Sequence, residues 1–525
     1  MTILNSLNKY KLLLVILLIA SVLRLWNLQS IPPHLRNDEA ALGYNAYSVL
    51  ETGKDEHGEF LPIIFQSFGD WKMGLYVYLA IPFIAILGLN ELAVRLPSAL
   101  AGIISVWLIY EIVNLLFAKI RLALISAFIF AISPTFIAFS RGAWEVNISL
   151  TMTLAAILFF LKAINGKNAL LMLSAVFFGL TLLTSHTAKM ATPLLLLILI
   201  VSFSKQFRQV SKKIILLSIL TISIFSIPVG LSFIEGKIAR LTTLSIFSYQ
   251  SGLPLVQSIA NRWFSLYSGS TLFIRGDTNP QHTAPNTGAF LLLDNILLIV
   301  GTITLIKKGT LIQKFFVFSG LLLLPFPSAL TIEKVNLERV LPLFIPMIII
   351  ISIGINSFWD VFTKRFAKII LPIFIFIYLL NYLYFLDQYF IHGPKKNDAW
   401  QYGYKEIFHK ISNFKNDEIV VQQSLEHPYI FFLFYQRYDP LKYQQISGQV
   451  FIPNKEGKDM GLVSRIDNIE FMDIDWSKIK PKSKTIFAMP TFKLEQNSKF
   501  YDDYNMIDEV RDLNGFPIFK IVQTL

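Results

Sequence analysis

The chain has 525 residues, of which 54% are hydrophobic and only 16% are charged. A soluble globular protein would carry about 25% charged residues, whereas this chain repeats apolar runs of about 17 to 25 residues that could each cross a ~30 Å hydrocarbon core. The net charge of +12 lies mostly in short loops, where Lys and Arg orient a membrane protein, so no nucleic-acid partner is indicated. There is no cysteine, which excludes disulfides and Cys-ligated metals.

Eleven apolar runs are predicted to span the membrane. They lie near residues 12–29, 97–117, 121–139, 147–162, 168–185, 190–204, 214–233, 290–306, 315–330, 340–357 and 368–388. A further run, 75–88, is short and interrupted by Pro82, so we predict a re-entrant or interfacial helix in the first outer loop (30–96). With the N-terminus inside, this count places the strongly basic short loops on the cytoplasmic side. Twelve or more spans are the alternative.

The last 135 residues are richer in charge and contain short strand-like runs at 418–423, 484–490 and 517–523. We therefore predict two domains, a transmembrane domain (1–390) and a small extracytoplasmic α/β domain (391–525). The predicted fold class is an all-α polytopic membrane protein with amphipathic helices in the first outer loop, followed by that α/β domain.

Two adjacent carboxylates, Asp38 and Glu39, begin the segment "NDEAALGYNAYSVLETG" (37–53) in the first outer loop. Its apolar residues share one helical face and Gly53 suits the helix end, so both acids can serve as N-terminal capping groups. A carboxylate near the membrane surface can also act as a general base or metal ligand. The two interpretations are compatible.

Other polar groups are predicted to share the outer face with these acids. Glu145 ends "FSRGAWE" and begins a span, where a carboxylate is costly unless it is paired or faces a cavity. The remaining candidates are Lys72, Arg95, His186, Lys189, Arg275, Asp277, His282 and Arg339. Several cations on one face suit an anionic headgroup. The histidines lack a metal-binding spacing such as HExxH, so a divalent metal is possible but not indicated.

The chain has no Walker loop and no dinucleotide fingerprint, so a soluble nucleotide donor is unsupported. Charged residues are also scarce deep inside the predicted spans. That scarcity argues against an ion-coupled transporter, whose relays lie near the bilayer midplane.

The order of motifs resembles a known family. A first span is followed by "DE" and "GYNAYSVLETG", then by "GDWKMGLYVYLAIPFIAILGLNELAVRLPSALAG", and then by "FSRGAWE"; later comes "EKVNLERVLPLFIP". Over roughly residues 10–390 this resembles the membrane glycosyltransferases of the GT-C fold. Within that fold, the motifs are similar to those of the dolichyl-phosphate-mannose protein mannosyltransferases and the bacterial aminoarabinose transferases.

The resemblance implies an inverting glycosyltransferase that moves a sugar from a polyprenyl-phosphate donor to a protein, lipid or glycan acceptor on the outer face of a bacterial inner membrane. Asp38, in the "DE" pair with Glu39, would be the general base, and Glu145 would match a second acidic position. Lys72 and Arg95 would steady the carrier phosphate, with Lys189, Arg275 and Arg339 as weaker candidates. No soluble cofactor is required. A lipid-linked glycan polymerase or ligase, or a glycolipid flippase, are the alternatives.

Overall fold

A computed structural model describes residues 2–237, 244–362, 367–396, 400–414, 417–424, 426–453, 459–475, 485–495 and 504–524. The chain divides into two compact units, one formed by residues 1–26 and 97–392 and the other by residues 27–96 and 393–525. The predicted domains, 1–390 and 391–525, placed the first outer loop with the transmembrane helices. This division instead groups that loop with the C-terminal segment. Residues 27–96 pack with the C-terminal segment because α2 (Asn37–Thr52) buries its apolar face there.

The first unit consists of helices. They are α1 (Thr2–Leu25), α4 (Glu91–Phe117, whose first turns belong to the second unit), α5 (Ile120–Ile132), α6 (Pro134–Arg141), α7 (Glu145–Ile164), α8 (Leu170–Leu182), α9 (Ala188–Ser202), α10 (Ser204–Phe207), α11 (Lys212–Ile234), α12 (Gly252–Ser265), α13 (Asp294–Lys308), α14 (Leu311–Leu323), α15 (Phe326–Ala329), α16 (Phe344–Phe362) and α17 (Ala367–Asp387). Shorter 3₁₀ and π turns lie at Ile246–Ser248, Ser270–Ile274, Leu337–Leu343 and Gln388–His392.

Among the described residues, six helices are long and apolar enough to cross a membrane, or seven when the bent pair α5–α6 counts as one span. The remaining predicted spans correspond to α1 and to three helices of 13, 15 and 15 residues, α8, α9 and α13. A span needs about 20 residues, so these three are short for a full crossing. The run predicted not to cross forms α3 (Leu75–Leu87), whose 13 residues extend only about 20 Å.

The run predicted as one span at 121–139 is broken. The axes of α5 and α6 differ by 55° at Ser133, because Pro134 has no N–H to donate to the carbonyl of Phe130. Thr135, the next amide, donates to Ala289 instead (3.3 Å). The bend therefore leaves two helix carbonyls, those of Phe130 and Ala131, without their usual partners.

Two buried arginines complete this part of the first unit. Arg24, on α1, donates to the carbonyls of Ala131 (2.9 Å) and Phe130 (3.5 Å) at the bend. Arg141, at the end of α6, donates in return to the carbonyls of Leu23 (2.9 Å) and Trp26 (2.7 Å) at the end of α1. The guanidinium of Arg24 thus pairs carbonyls at the end of α5, and the guanidinium of Arg141 pairs carbonyls at the end of α1. These hydrogen bonds allow both charges to be fully buried.

The helices α13 and α16 meet at two glycines. A methyl group added at Gly301 would lie 1.9 Å from the carbonyl oxygen of Ile350, and one added at Gly354 would lie 2.0 Å from that of Leu297. Such backbone contact is typical of membrane helices, where small residues replace the hydrophobic effect as the source of tight packing.

The second unit combines the first outer loop with the C-terminal segment. Its helices are α2, α3, α18 (Gly393–Lys396), α19 (Tyr404–Ile411), α20 (Pro428–Tyr435), α21 (Pro440–Val450) and α22 (Thr491–Glu495). Its strands are β1 (Ile64–Ser67), β2 (Asp70–Met73), β3 (Ile419–Gln422), β4 (Phe451–Pro453), β5 (Asp459–Val463), β6 (Arg465–Ile466), β7 (Ile469–Met472), β8 (Ile486–Pro490), β9 (Tyr504–Arg511) and β10 (Pro517–Thr524).

The larger sheet has the order β6-β7-β3-β8-β10-β9, with β3 parallel to both β7 and β8 and the other pairs antiparallel. One buried face holds Val420, Phe487 and Val522 from three neighbouring strands. The three runs predicted as strands lie in β3, β8 and β10, and "HPYIFFLFYQ" forms the helix α20. The predicted fold class, a helical membrane protein with a small strand-containing C-terminal part, is confirmed.

Candidate active site

The helix α2 carries the two candidate acids and begins as the sequence predicts. Glu39 accepts a hydrogen bond from the backbone N–H of Arg36 (3.1 Å), and Gly53, at φ +72°, ends the helix by donating to Val49 (2.9 Å). Gly43 lets α2 approach α20 closely, because a methyl group there would lie 2.6 Å from the Phe434 ring. Capping therefore accounts for the position of Glu39, and α2 is held firmly enough to fix Asp38.

Asp38 is the more accessible of the two acids. Its side chain is 35% exposed and forms ion pairs with Lys72 and, at 3.8 Å, with Arg36. Both cations are mostly buried. Because two cations surround one carboxylate, the cluster formed by Arg36, Asp38 and Lys72 has an excess positive charge next to an accessible carboxylate.

Lys72 is held by the hairpin β1–β2, in which Ser67 pairs with Asp70 and Phe65 with Lys72. The two turn residues, Phe68 (φ 53°) and Gly69 (φ 74°), are both left-handed, which is the geometry of a tight two-residue hairpin. The ammonium of Lys72 lies 5.3 Å from the centre of the Phe68 ring, within cation–π range.

Glu39 and Arg95 form a fully buried ion pair. Nε and Nη2 of Arg95 lie 3.2 and 3.3 Å from the two carboxylate oxygens of Glu39. The remaining guanidinium contacts go to backbone carbonyls of the loop before α2: Leu28 (3.1 Å), Pro32 (2.8 Å) and His34. These contacts favour a structural role for both residues, in place of the predicted catalytic role of Glu39 and phosphate-binding role of Arg95.

The loop before α2 is also fixed by His34. Its Nε2 lies 3.0 Å from Glu406, and its Nδ1 accepts a hydrogen bond from the amide of Gly403 (3.3 Å). Although burial alone would raise the pKa of Glu406, the hydrogen bond from His34 Nε2 holds that pKa below its usual value. The carboxylate therefore remains ionised at neutral pH and keeps the loop tied to α19.

Asp277 and His282, in the first unit, are buried and paired. His282 Nδ1 lies 2.5 Å from Asp277 Oδ2, which also accepts from the amide of Leu337 (2.6 Å). Burial opposes ionisation, yet the hydrogen bond and charge of His282, with two backbone amides, hold the pKa of Asp277 below its usual value. This pair connects the loop after Ser270–Ile274 to the start of Leu337–Leu343, so these contacts favour a structural role over the predicted phosphate contact.

Two other predicted residues of the first unit adjoin neighbours of this pair: Trp144, before Glu145, packs on the His282 ring (5.0 Å), and Glu338, before Arg339, lies 3.6 Å from His282 Nε2. Glu145 is the first residue of α7, and Arg275 is exposed. His186 Nδ1 lies 3.1 Å from Lys189 Nζ at the start of α9, and Arg339 forms a 3.2 Å ion pair with Glu333. Their predicted roles, and the predicted meeting of Glu145 with Asp38, remain predictions.

Two adjoining clefts lie between α7, α9 and the segment after Leu337. One is lined in part by hydroxyl groups such as those of Ser149 and Thr192 and by the carboxylate of Glu338. The other is lined by apolar side chains such as Ile157 and Leu195. Pro342 borders both clefts, so a polar space adjoins an apolar one.

Two residues were missed by the sequence analysis. Arg36 pairs with Asp38 two positions later, and Glu338 lines the polar cleft. Their spacing in the sequence carried no signal, because loops and the 3₁₀ turn determine where they point. Within the described ranges, no group of three or more His, Asp or Glu residues is arranged to hold a metal ion.

The apolar helices and the strand-containing C-terminal part of the described residues define a polytopic membrane protein. Residues 75–231 match the family model described as dolichyl-phosphate-mannose-protein mannosyltransferase. This segment includes Arg95 and Glu145. No curated protein gives a significant match to the chain.

Solved structures show the same fold at low sequence identity. ArnT from Cupriavidus metallidurans bound to undecaprenyl phosphate is 11% identical, with a TM-score of 0.57, covering 98% of this chain and 97% of ArnT. ArnT in the apo state is 12% identical with a TM-score of 0.51 and the same coverage. An oligosaccharyltransferase from Archaeoglobus fulgidus, AglB, is 11% identical over 82% of this chain and 64% of AglB, at a TM-score of only 0.47.

The predicted resemblance to GT-C glycosyltransferases is confirmed by the family match and by the ArnT fold. The family model covers less than half of the chain, so the predicted enzyme class, a glycosyltransferase with a lipid-linked donor, remains a proposal. The chain is an integral membrane protein.

Proposed function

We propose that this chain is an inverting glycosyltransferase that moves a sugar from a polyprenyl-phosphate donor to a hydroxyl of an acceptor. One observation carries the proposal: the partly exposed carboxylate of Asp38 lies against the ammonium of Lys72 and near Arg36, on the first outer loop. This transfer needs one carboxylate to accept a proton and cations to stabilise the departing phosphate.

The reaction assigns one task to each of these groups. When the donor phosphate binds Lys72 and Arg36, the carboxylate of Asp38 loses part of its pairing and becomes the proton acceptor. It takes the proton of the acceptor hydroxyl while that oxygen bonds to the anomeric carbon from the face opposite the phosphate. The bond from the anomeric carbon to the phosphate oxygen breaks, its electron pair stays on the phosphate, and the configuration inverts.

The donor class is supported by the fold and by the family match of residues 75–231. ArnT, which shares the fold, was solved with undecaprenyl phosphate bound. The acceptor is a protein, a lipid or a glycan.

The proposed location is the plasma membrane of a bacterium, with the N-terminus cytoplasmic and the first outer loop and C-terminal segment extracytoplasmic. The charge distribution supports this orientation, because the basic short loops then share the cytoplasmic side.

Purified protein in detergent, supplied with a panel of polyprenyl-phosphate sugars, tests the proposal. We expect release of polyprenyl phosphate, and we expect Asp38→Asn to lower kcat by about 10²- to 10⁴-fold, the contribution of a general base. Lys72→Ala should instead raise the donor KM, because it removes a contact to the phosphate. Both parameters are measured by following the released polyprenyl phosphate.

Glu51→Gln is the matched control, since Glu51 is an exposed carboxylate at the other end of α2. It should leave kcat unchanged. Full turnover in both Asp38→Asn and Asp38→Ala would remove Asp38 from the chemistry, and the absence of transfer from every donor would reject the proposed activity.

A further inference from the structure

The C-terminal segment contacts both elements that carry the cluster of Arg36, Asp38 and Lys72. We propose that this segment is a positioning element for the cluster, acting through His427 and Gly461 on the β1–β2 hairpin and through Gln401 on the start of α2. The proposal rests on the proposed function, because it assigns the segment a role in placing the phosphate-binding and proton-accepting groups.

The hairpin turn that precedes Lys72 lies against His427. The rings of His427 and Phe68 stack at 4.1 Å with their planes only 6° apart. The same Phe68 ring lies under the Lys72 ammonium, at 5.3 Å. One aromatic ring therefore contacts the positioning histidine on the C-terminal side and the phosphate-binding lysine within the hairpin.

The histidine is itself fixed by strand β5. Its Nδ1 lies 2.9 Å from the carbonyl oxygen of Gly461, so Nδ1 carries the proton and the ring orientation is set by the backbone. Gly461 has a φ of +68°, and a methyl group there would lie 2.7 Å from Cα of Phe68 and 2.9 Å from His427 Nδ1. The close approach of β5 to the turn thus requires glycine at this position.

The start of α2 is held from the same segment. The side-chain oxygen of Gln401 accepts a hydrogen bond from the backbone N–H of Asn37 (2.7 Å), one of the amides that a helix cannot pair internally. Asn37 directly precedes Asp38, so Gln401 fixes the backbone from which the carboxylate projects. Two contacts from the C-terminal segment therefore set the positions of Lys72 and Asp38 separately.

Enzyme kinetics on the full chain test this positioning. His427→Leu removes both the ring stack and the hydrogen bond to Gly461, so Lys72 is less well placed, and we expect the donor KM to rise about threefold to tenfold. His427→Phe keeps the stacked ring and should return most of the wild-type KM. A purely structural role predicts a different result, in which a smaller active fraction lowers kcat and leaves KM unchanged.

Binding measured without turnover separates this proposal from the proposed activity. The probe is a polyprenyl monophosphate in detergent, and its Kd is measured from intrinsic tryptophan fluorescence. His427→Leu and Phe68→Leu should each weaken binding, and the double variant should weaken it by less than the product of the two single effects, since both remove one stacked pair. His409→Leu is the matched control, because His409 is an exposed histidine on α19 of the same segment.

Two outcomes would overturn the proposal. One is an unchanged donor KM and Kd in His427→Leu while Asp38→Asn remains inactive, which would leave the proposed function standing and reject the positioning role. The other is an equal loss in His427→Phe and His427→Leu, which would attribute the effect to the hydrogen bond or to general packing and not to the ring stack. If the His427 variants do not fold, Phe68→Leu tests the same ring stack from the hairpin side.

Discussion

Asp38 and Glu39 are adjacent in the chain but have opposite surroundings. Asp38 is partly exposed between two cations, whereas Glu39 is fully buried against Arg95. Adjacent residues at a helix start point about 100° apart, so one can face a site while the other faces the interior. The "DE" motif therefore combines an accessible carboxylate with a structural one.

The buried pair of Glu39 and Arg95 gives a prediction for stability. We expect Arg95→Met to lower the free energy of unfolding by about 3–5 kcal/mol, because it leaves a buried carboxylate and three loop carbonyls without a donor. Glu39→Gln should cost less, about 1–3 kcal/mol, since the amide oxygen can still accept from the guanidinium. Thermal unfolding in detergent measures both changes.

Glu59→Gln, at an exposed position of the same unit, is the control and should unfold like the wild type. The folded fraction of Glu39→Gln should retain most of the wild-type kcat. A large fall in kcat without a fall in stability would instead assign Glu39 to the chemistry.

The helices and strands show which features can be predicted from sequence. The apolar runs predicted the helices of the first unit, because a membrane span leaves a long, continuous signal. The break at Ser133 was missed, since a proline at the start of a helix and one inside a span look alike within an apolar run. The cluster of Arg36, Asp38 and Lys72 was only partly predicted. The approach of Lys72 to Asp38 depends on the β1–β2 hairpin, which leaves no such signal in the sequence.

The loop that contains Asp277 gives a prediction for pH dependence. Because the folded pKa of Asp277 is lower than the unfolded value, its ionised form stabilises the fold above the unfolded pKa of about 3.8. That stabilisation is lost as the pH falls through the folded pKa. We expect Asp277→Asn to lower the melting temperature at pH 6–7 and to flatten its decline below about pH 4.

Glu235→Gln, at an exposed position, is the control and should not change the decline of the melting temperature at low pH. Melting temperatures recorded between pH 2.5 and 7 in detergent check the prediction. An Asp277→Asn profile parallel to that of the wild type throughout this range would contradict it.

At the scale of the whole molecule, the grouping of residues 27–96 with the C-terminal segment could not be predicted from sequence. The contacts that create it join very distant residues, such as Asn37 with Gln401, 364 positions apart, and Ser48 with Gln444, 396 positions apart. A composition change near residue 390 marks where the chain leaves the helical unit. It carries no information about which earlier loop the later segment packs against.

The absence of cysteine makes the proposed orientation directly measurable. We expect a cysteine at exposed position 51, in the first outer loop, to react with a membrane-impermeant maleimide on intact cells. A cysteine at exposed position 308, at the end of α13, should react only after the membrane is opened. The chain without an added cysteine is the negative control. The reverse labelling pattern would contradict the proposed orientation and indicate the inverted topology.

The exchange of carbonyl partners between Arg24 and Arg141 constrains how the chain is assembled. Arg24 lies in the last turn of α1, and its guanidinium contacts Ala20 on that helix as well as residues of α5 and α6. The end of α1 therefore obtains most of the hydrogen bonds of its arginine from residues about a hundred positions later in the chain, so its packing is completed only when α5 and α6 lie beside it.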